Sequence, residues 1–210
     1  TAGTTWGVPW PKGALAPDQS FTLVAESGAS VPVQTWPTGW WPDGSVKWTA
    51  HAVASSAERS TTYSLQPGTA AAPAAPVTVT ENPGKVVVDT GVVTVEFPRN
   101  GKSIVSVIRR GNTVIAEEGR LVAGRQNVPD TDAGDKIDNE WFQGDVGEVV
   151  VEQSGPVRAV IRVKGTHKKG KRSWLPFDLR FYLYAGSDGI RVVHTFVFDG
   201  DENKDFINGL

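Results

Sequence analysis

Hydrophobic and polar residues alternate with a period of two along most of this chain, the mark of half-buried strands. Val46, Trp48, Ala50 and Ala52 fall on one side of a run whose other side carries Lys47, Thr49 and His51. Phe177, Leu179, Phe181 and Leu183 alternate with Asp178, Arg180, Tyr182 and Tyr184. No stretch keeps the period of an amphipathic helix. The pattern predicts an all-β chain. Strands at Phe21–Ala25, Val31–Trp36, Ser45–Val53 and Ser60–Leu65 predict a small β-barrel over residues 1–66. Pro and Ala dominate residues 67–76, which read as a semi-rigid linker. Residues 77–210 carry longer runs broken by short turns: Lys85–Val88 with Val92–Phe97, Ile104–Ile108 with Thr113–Ala116, Val146–Gln153 with Val157–Lys164, and Leu175–Tyr184 with Ile190–Phe198. An antiparallel β-sandwich is the expected solution. Trp6–Gly13 mixes Pro, Gly and aromatics and reads as a loop or an edge strand.

The most informative stretch is Trp36–Trp48, W-P-T-G-W-W-P-D-G-S-V-K-W, with four of the eight tryptophans. Trp41-Pro42-Asp43-Gly44 is a turn: Pro presets φ, Asp can accept from the backbone ahead, and Gly tolerates the reversal. Indole faces can stack on the C–H faces of pyranose rings, or can clamp a small core. The core reading comes first for Trp36 and Trp48, which sit in alternating strands. Trp40 and Trp41, beside the turn, are open to both.

Composition narrows the function classes. The formal net charge is −2, so nothing global steers the chain to nucleic acid or to a membrane surface. No apolar run approaches a transmembrane length. Cysteine is absent, which removes disulfides and thiolate chemistry. Met is absent even at position 1, so the chain reads as processed by signal-peptide removal, hence secreted, or as cut from a longer protein. The apolar end Phe206–Leu210 fits a polypeptide that continues.

Candidate chemistry is sparse. His194 alternates with apolar residues and reads as a buried, hydrogen-bonded core histidine rather than a general base. His167 falls in a basic turn, H-K-K-G-K-R, expected to be solvated, and His51 is expected exposed and idle. Arg180 and Tyr182 would share a face with Arg158, Arg162 and Lys164, a cationic and phenolic surface suited to a carboxylated sugar, or a plain solvent face. Residues 130–140 are rich in carboxylates, but the EF-hand spacing fails, so no cofactor is expected and structural calcium is a minor alternative. Trp141 follows, as a loop anchor or another stacking surface. The G-x-S-x-G, H-E-x-x-H and phosphate-loop motifs are missing, and no local motif marks a catalytic centre.

Gly7-Val8-Pro9-Trp10-Pro11-Lys12-Gly13, Val33-Gln34 and Trp41–Trp48 together resemble the start of the exo-rhamnogalacturonan lyase, or YetA-like, family. Ser154–Val160, Leu179–Tyr182 with Tyr184–Ser187, and Arg191 with His194-Thr195-Phe196 extend the resemblance into the second half. It implies a RIFT-type barrel, then a central β-sandwich, then a C-terminal α/α toroid that this chain lacks. It also implies β-elimination on a uronate polysaccharide, with the catalytic cleft mainly on the toroid. This part would frame the substrate cleft, with Trp40, Trp41, Trp141, Arg180 and Tyr182 as candidate substrate contacts. The alternatives are a non-catalytic carbohydrate-binding or structural module, and an accessory region of a glycoside hydrolase.

Overall fold

A computed structural model describes residues 3–129 and 136–210. Every regular element among them is a strand. The N-terminal barrel uses β1 (Gly3–Pro9), β2 (Phe21–Ala25), β3 (Ser30–Val31), β4 (Gln34–Trp40), β5 (Val46–Ala54) and β6 (Tyr63–Pro67). They form two antiparallel sheets, β1-β5-β4 and β3-β2-β6. Between the sheets lie two small cores, one of Leu23, Ala25, Val31 and Val33, the other of Leu15, Phe21 and Val46. The Pro-rich lead resolves as an edge strand, β1, where a proline costs no ladder bond.

The tryptophan hairpin forms as its turn chemistry demands. Gly44 N–H donates to the Trp41 carbonyl at 2.9 Å, and Gly44 holds φ +85°. Ser45 N–H donates to Asp43 Oδ1 at 3.0 Å. Register shifts between Pro37 and Gly39, and again between Gly39 and Trp40, mark a bulge opposite Trp48. It flips the inward face of β5, because side chains alternate strictly and one extra residue reverses them. Val46 points into the barrel, but beyond the bulge the inward positions are Thr49 and His51.

Two expectations fail here. His51 is fully buried, not exposed. Thr35 Oγ1 lies 2.8 Å from its Nδ1 and Thr49 Oγ1 lies 2.7 Å from its Nε2, so both ring nitrogens are satisfied. Trp6 stacks on the ring at 5.4 Å, and burial lowers its pKa from 6.5 to about 4. The face expected to be apolar is the outer one. Its Ala52 and Ala54 join the core of the second domain, while Trp48 is 42% exposed.

The sandwich pairs a five-stranded with a six-stranded sheet. The first contains β7 (Thr78–Glu81), β8 (Lys85–Asp89), β9 (Thr94–Pro98), β10 (Ser103–Arg110) and β11 (Thr113–Arg120), in the order β11-β10-β9-β8-β7. The second contains β12 (Val122–Gln126), β13 (Asn139–Ser154), β14 (Arg158–Lys169), β15 (Arg172–Tyr184), β16 (Ile190–Phe196) and β17 (Phe206–Gly209), in the order β16-β15-β14-β13-β12-β17. Val86, Val88, Val95 and Phe97 meet Ile161, Val163, Phe181 and Leu183 between them. One edge strand of each sheet bears exposed apolar side chains: Ile115 on β11, and Val192 and Phe196 on β16 with Val197 and Phe198 just beyond.

The 67–76 segment is not a free tether. Ala75 sits against Gly91, and Val77, just after it, is buried in the sandwich core. Gln34 Oε1 accepts from the N–H groups of Val157 and Arg158 at 3.0 and 2.8 Å. Arg158 Nη1 donates to Thr5 Oγ1 at 2.8 Å. The sandwich also overturns the placement of two histidines. His167 is fully buried, with Nδ1 2.7 Å from the Leu175 carbonyl, rather than in a solvated turn. His194 is only half-buried, and its Nε2 has no partner among the described residues, although a hydrogen bond was expected.

Candidate functional site

Three surfaces carry the residues singled out from the sequence. The first is the tryptophan hairpin. Trp40 is 55% exposed. Trp41 is tied down: its Nε1 donates to the Trp10 carbonyl at 3.0 Å, and Lys47 lies 4.6 Å above its ring. Trp48, expected in the core, is a platform instead. A methyl group at Gly7 or at Gly39 would sit 3.7 Å from its ring. The indole therefore spans β5 between two bare backbone positions, and no side chain at either flank covers its face. The glycines on both sides were the missed signal.

The second surface crosses the domain joint. Trp36 shares the outer face of β4 and β5 with Trp48, a diagonal separation of roughly 7–8 Å by sheet geometry. Arg158 stacks 4.4 Å from the Trp36 ring and 5.4 Å from Tyr182. Arg191 lies 5.4 Å from the other candidate ring contact, Tyr182. Arg158 is not the free cation expected. It is buried, and Gln153 Oε1 accepts from its Nε and Nη2 at 2.9 and 2.6 Å. Arg180 is paired too, forking Glu152 at 2.9 and 3.0 Å. Arg162 is held by Asp178, whose carboxyl that hydrogen bond keeps below its usual range. Two of the guanidiniums, Arg162 and Arg180, face two carboxylates, Asp178 and Glu152, so that stretch of the face is charge-balanced rather than cationic.

The third surface lies at the far end of the same sheet. Arg180 aligns through Arg162 with Val150, nine residues along β13 from Trp141, or roughly 30 Å. Trp141 is 59% exposed and lies over Gly124, its partner on β12. Beside it is a recess of about 390 Å3 lined by Lys102, Gln143, Asp145, Lys168 and Lys169. Arg180 and Tyr182 thus lie two residues apart on β15, Trp40 and Trp41 are chain neighbours at the turn, and Trp141 stands apart from both pairs.

The calcium expectation falls mainly on residues 130–135, outside the described residues. Glu140, at its described end, accepts from Lys169 Nζ at 2.9 Å and from Arg125 Nη1 at 3.2 Å. The Lys169 hydrogen bond lowers its pKa first, then nearby cationic charge. A neighbouring buried carboxylate, Asp205, was not anticipated. Arg125 and Arg172 donate to its Oδ1 at 2.6 and 2.5 Å, and Asp201 N–H to its Oδ2 at 2.9 Å. Burial alone pulls Asp205 upward, but these donors outweigh it and bring it to about 2.

Residues 1–68 match the PcRGLX-like N-terminal RIFT barrel domain, and residues 77–210 match the PcRGLX-like central beta sandwich domain. The chain belongs to the PcRGLX-like family. A relative, the uncharacterized protein YetA of Bacillus subtilis, is 32% identical over 212 residues. That alignment takes in 100% of this chain and 25% of YetA. The chain therefore spans about a quarter of that relative's length. The two PcRGLX-like domains coincide with the barrel and the sandwich described above, and the resemblance read from the W-P-D-G-S-V-K-W segment holds. The region is related to the rhamnogalacturonan-lyase-like proteins.

Proposed function

We propose that this chain is the N-terminal β-rich part of a secreted polysaccharide lyase that cleaves a rhamnogalacturonan- or pectin-like polymer by β-elimination. Membership of the PcRGLX-like family across both domains carries the reading. In such a reaction a base removes the C5 proton of a uronate, a cation or hydrogen-bond donor neutralises the carboxylate, and the C4–O bond breaks to leave an unsaturated sugar. No residue of this chain is assigned to that chemistry. Its part is to frame one wall of the cleft and to hold the polymer. The exposed indoles of Trp40, Trp48 and Trp141 support that role. A larger parent is supported by the share of YetA that the chain covers, and by apolar side chains bare on β11 and β16 where a further domain, such as an α/α toroid, can pack.

The test uses the full parent polypeptide with rhamnogalacturonan. Rising ultraviolet absorbance from an unsaturated product end supports the lyase. Products whose new ends are saturated, with water added, point to hydrolysis and overturn it.

A further inference from the structure

We propose that the recess beside Trp141 is a subsite for one carboxylated pyranose, a hexuronate unit of an anionic polysaccharide; this deepens, and rests on, the polysaccharide reading above. Two independent features converge there. The first is the indole. Trp141 lies across Gly124 with its outer face open, and a flat apolar ring is the complement of a sugar's C–H face. The second is charge. Lys102, Lys168 and Lys169 line the recess against one lining carboxylate, Asp145. Asp145 engages Lys168 at 2.6 Å, and Lys169 reaches out to Glu140. Lys102 has no ion-pair partner among the described residues. An ammonium near a ligand carboxylate gives the site a preference for the acid over its neutral ester. The recess volume, about 390 Å3, falls within the range of small-ligand clefts and is too small for several sugars.

Titration calorimetry of the 210-residue chain tests the subsite, with a galacturonate trisaccharide and its methyl ester as probes. The acid binds, and the ester binds roughly tenfold more weakly or worse. Trp141→Ala lowers affinity for the acid by roughly tenfold or more. Lys102→Ala, at an exposed position that leaves the fold alone, removes most of the preference for the acid. No binding of the acid overturns the proposal. So does equal affinity for acid and ester, or an unchanged affinity in folded Trp141→Ala. The parent's activity separates the two claims. If the parent releases unsaturated product and both variants leave its KM unchanged, the subsite fails and the lyase stands. If the acid binds as described and the parent yields no unsaturated product, the lyase fails and the subsite stands.

Discussion

His51 shows how the burial of one side chain becomes pH dependence. Burial, which penalises a charged ring, favours the neutral form. The folded pKa, about 4, lies below the ordinary 6.5, so between those values the unfolded chain binds the proton and the folded chain does not. Stability therefore falls as pH drops from about 6.5 to about 4 and the loss levels off below. The loss is on the order of 2 kcal/mol, allowing for screening. An imidazole NMR titration that places His51 near 4, alongside denaturant midpoints across that window, checks it. Asp205 acts in the opposite sense at lower pH: its contribution is complete above about 3.8 and is lost as pH falls through about 2. Asp205→Asn leaves Arg125 and Arg172 facing an uncharged amide, and should cost about 3 kcal/mol in urea unfolding.

At the scale of elements, the strands' existence was legible and their faces were not. The tryptophan turn follows from Pro42, Asp43 and Gly44 alone, since each residue's chemistry is local. The inward face of β5 was misread because Thr49 and His51 look like solvent residues, while the bulge that turns them inward comes from pairing with β4. β12 was missed because Val122–Gln126 has little apolar content of its own; it is a strand because long β13 pairs with it. The Trp141 recess was invisible for the same reason: Gly124, Lys102 and Lys168 come from separate segments. Pairing also explains Gly165 on β14. A methyl there would lie 2.2 Å from the Asp145 carbonyl and 2.5 Å from the Phe177 ring. Gly165→Ala should cost about 3 kcal/mol, read as a lower urea midpoint at unchanged slope.

At the scale of the whole molecule, the domains act as one body because their joint is polar, aromatic and closely fitted. Arg158 holds Thr5 on the barrel and Gln153 on the sandwich, and it stacks on Trp36 from one domain and Tyr182 from the other. Gly3 is bare because a methyl there would meet the Tyr184 ring at 2.2 Å. The native chain should unfold in one thermal transition. Arg158→Ala removes the shared guanidinium and should split calorimetric unfolding into two peaks, with the barrel, the smaller unit, melting first. A single, merely shifted peak would mean that the apolar contacts of Ala52 and Ala54 couple the domains without it.

Those alanines give β5 two owners. Its odd residues Thr49 and His51 answer to the barrel's hydrogen bonds, and its even residues Ala52 and Ala54 to the neighbouring domain's need for small side chains. Most surface-sheet strands keep one side on which drift is nearly free. Past its bulge this one keeps none, so in a saturation screen its tolerated alphabets should alternate: polar and shape-matched at one position, tiny at the next. The centre of the chain's first domain is thus also a seam, inherited by both halves and editable by neither alone.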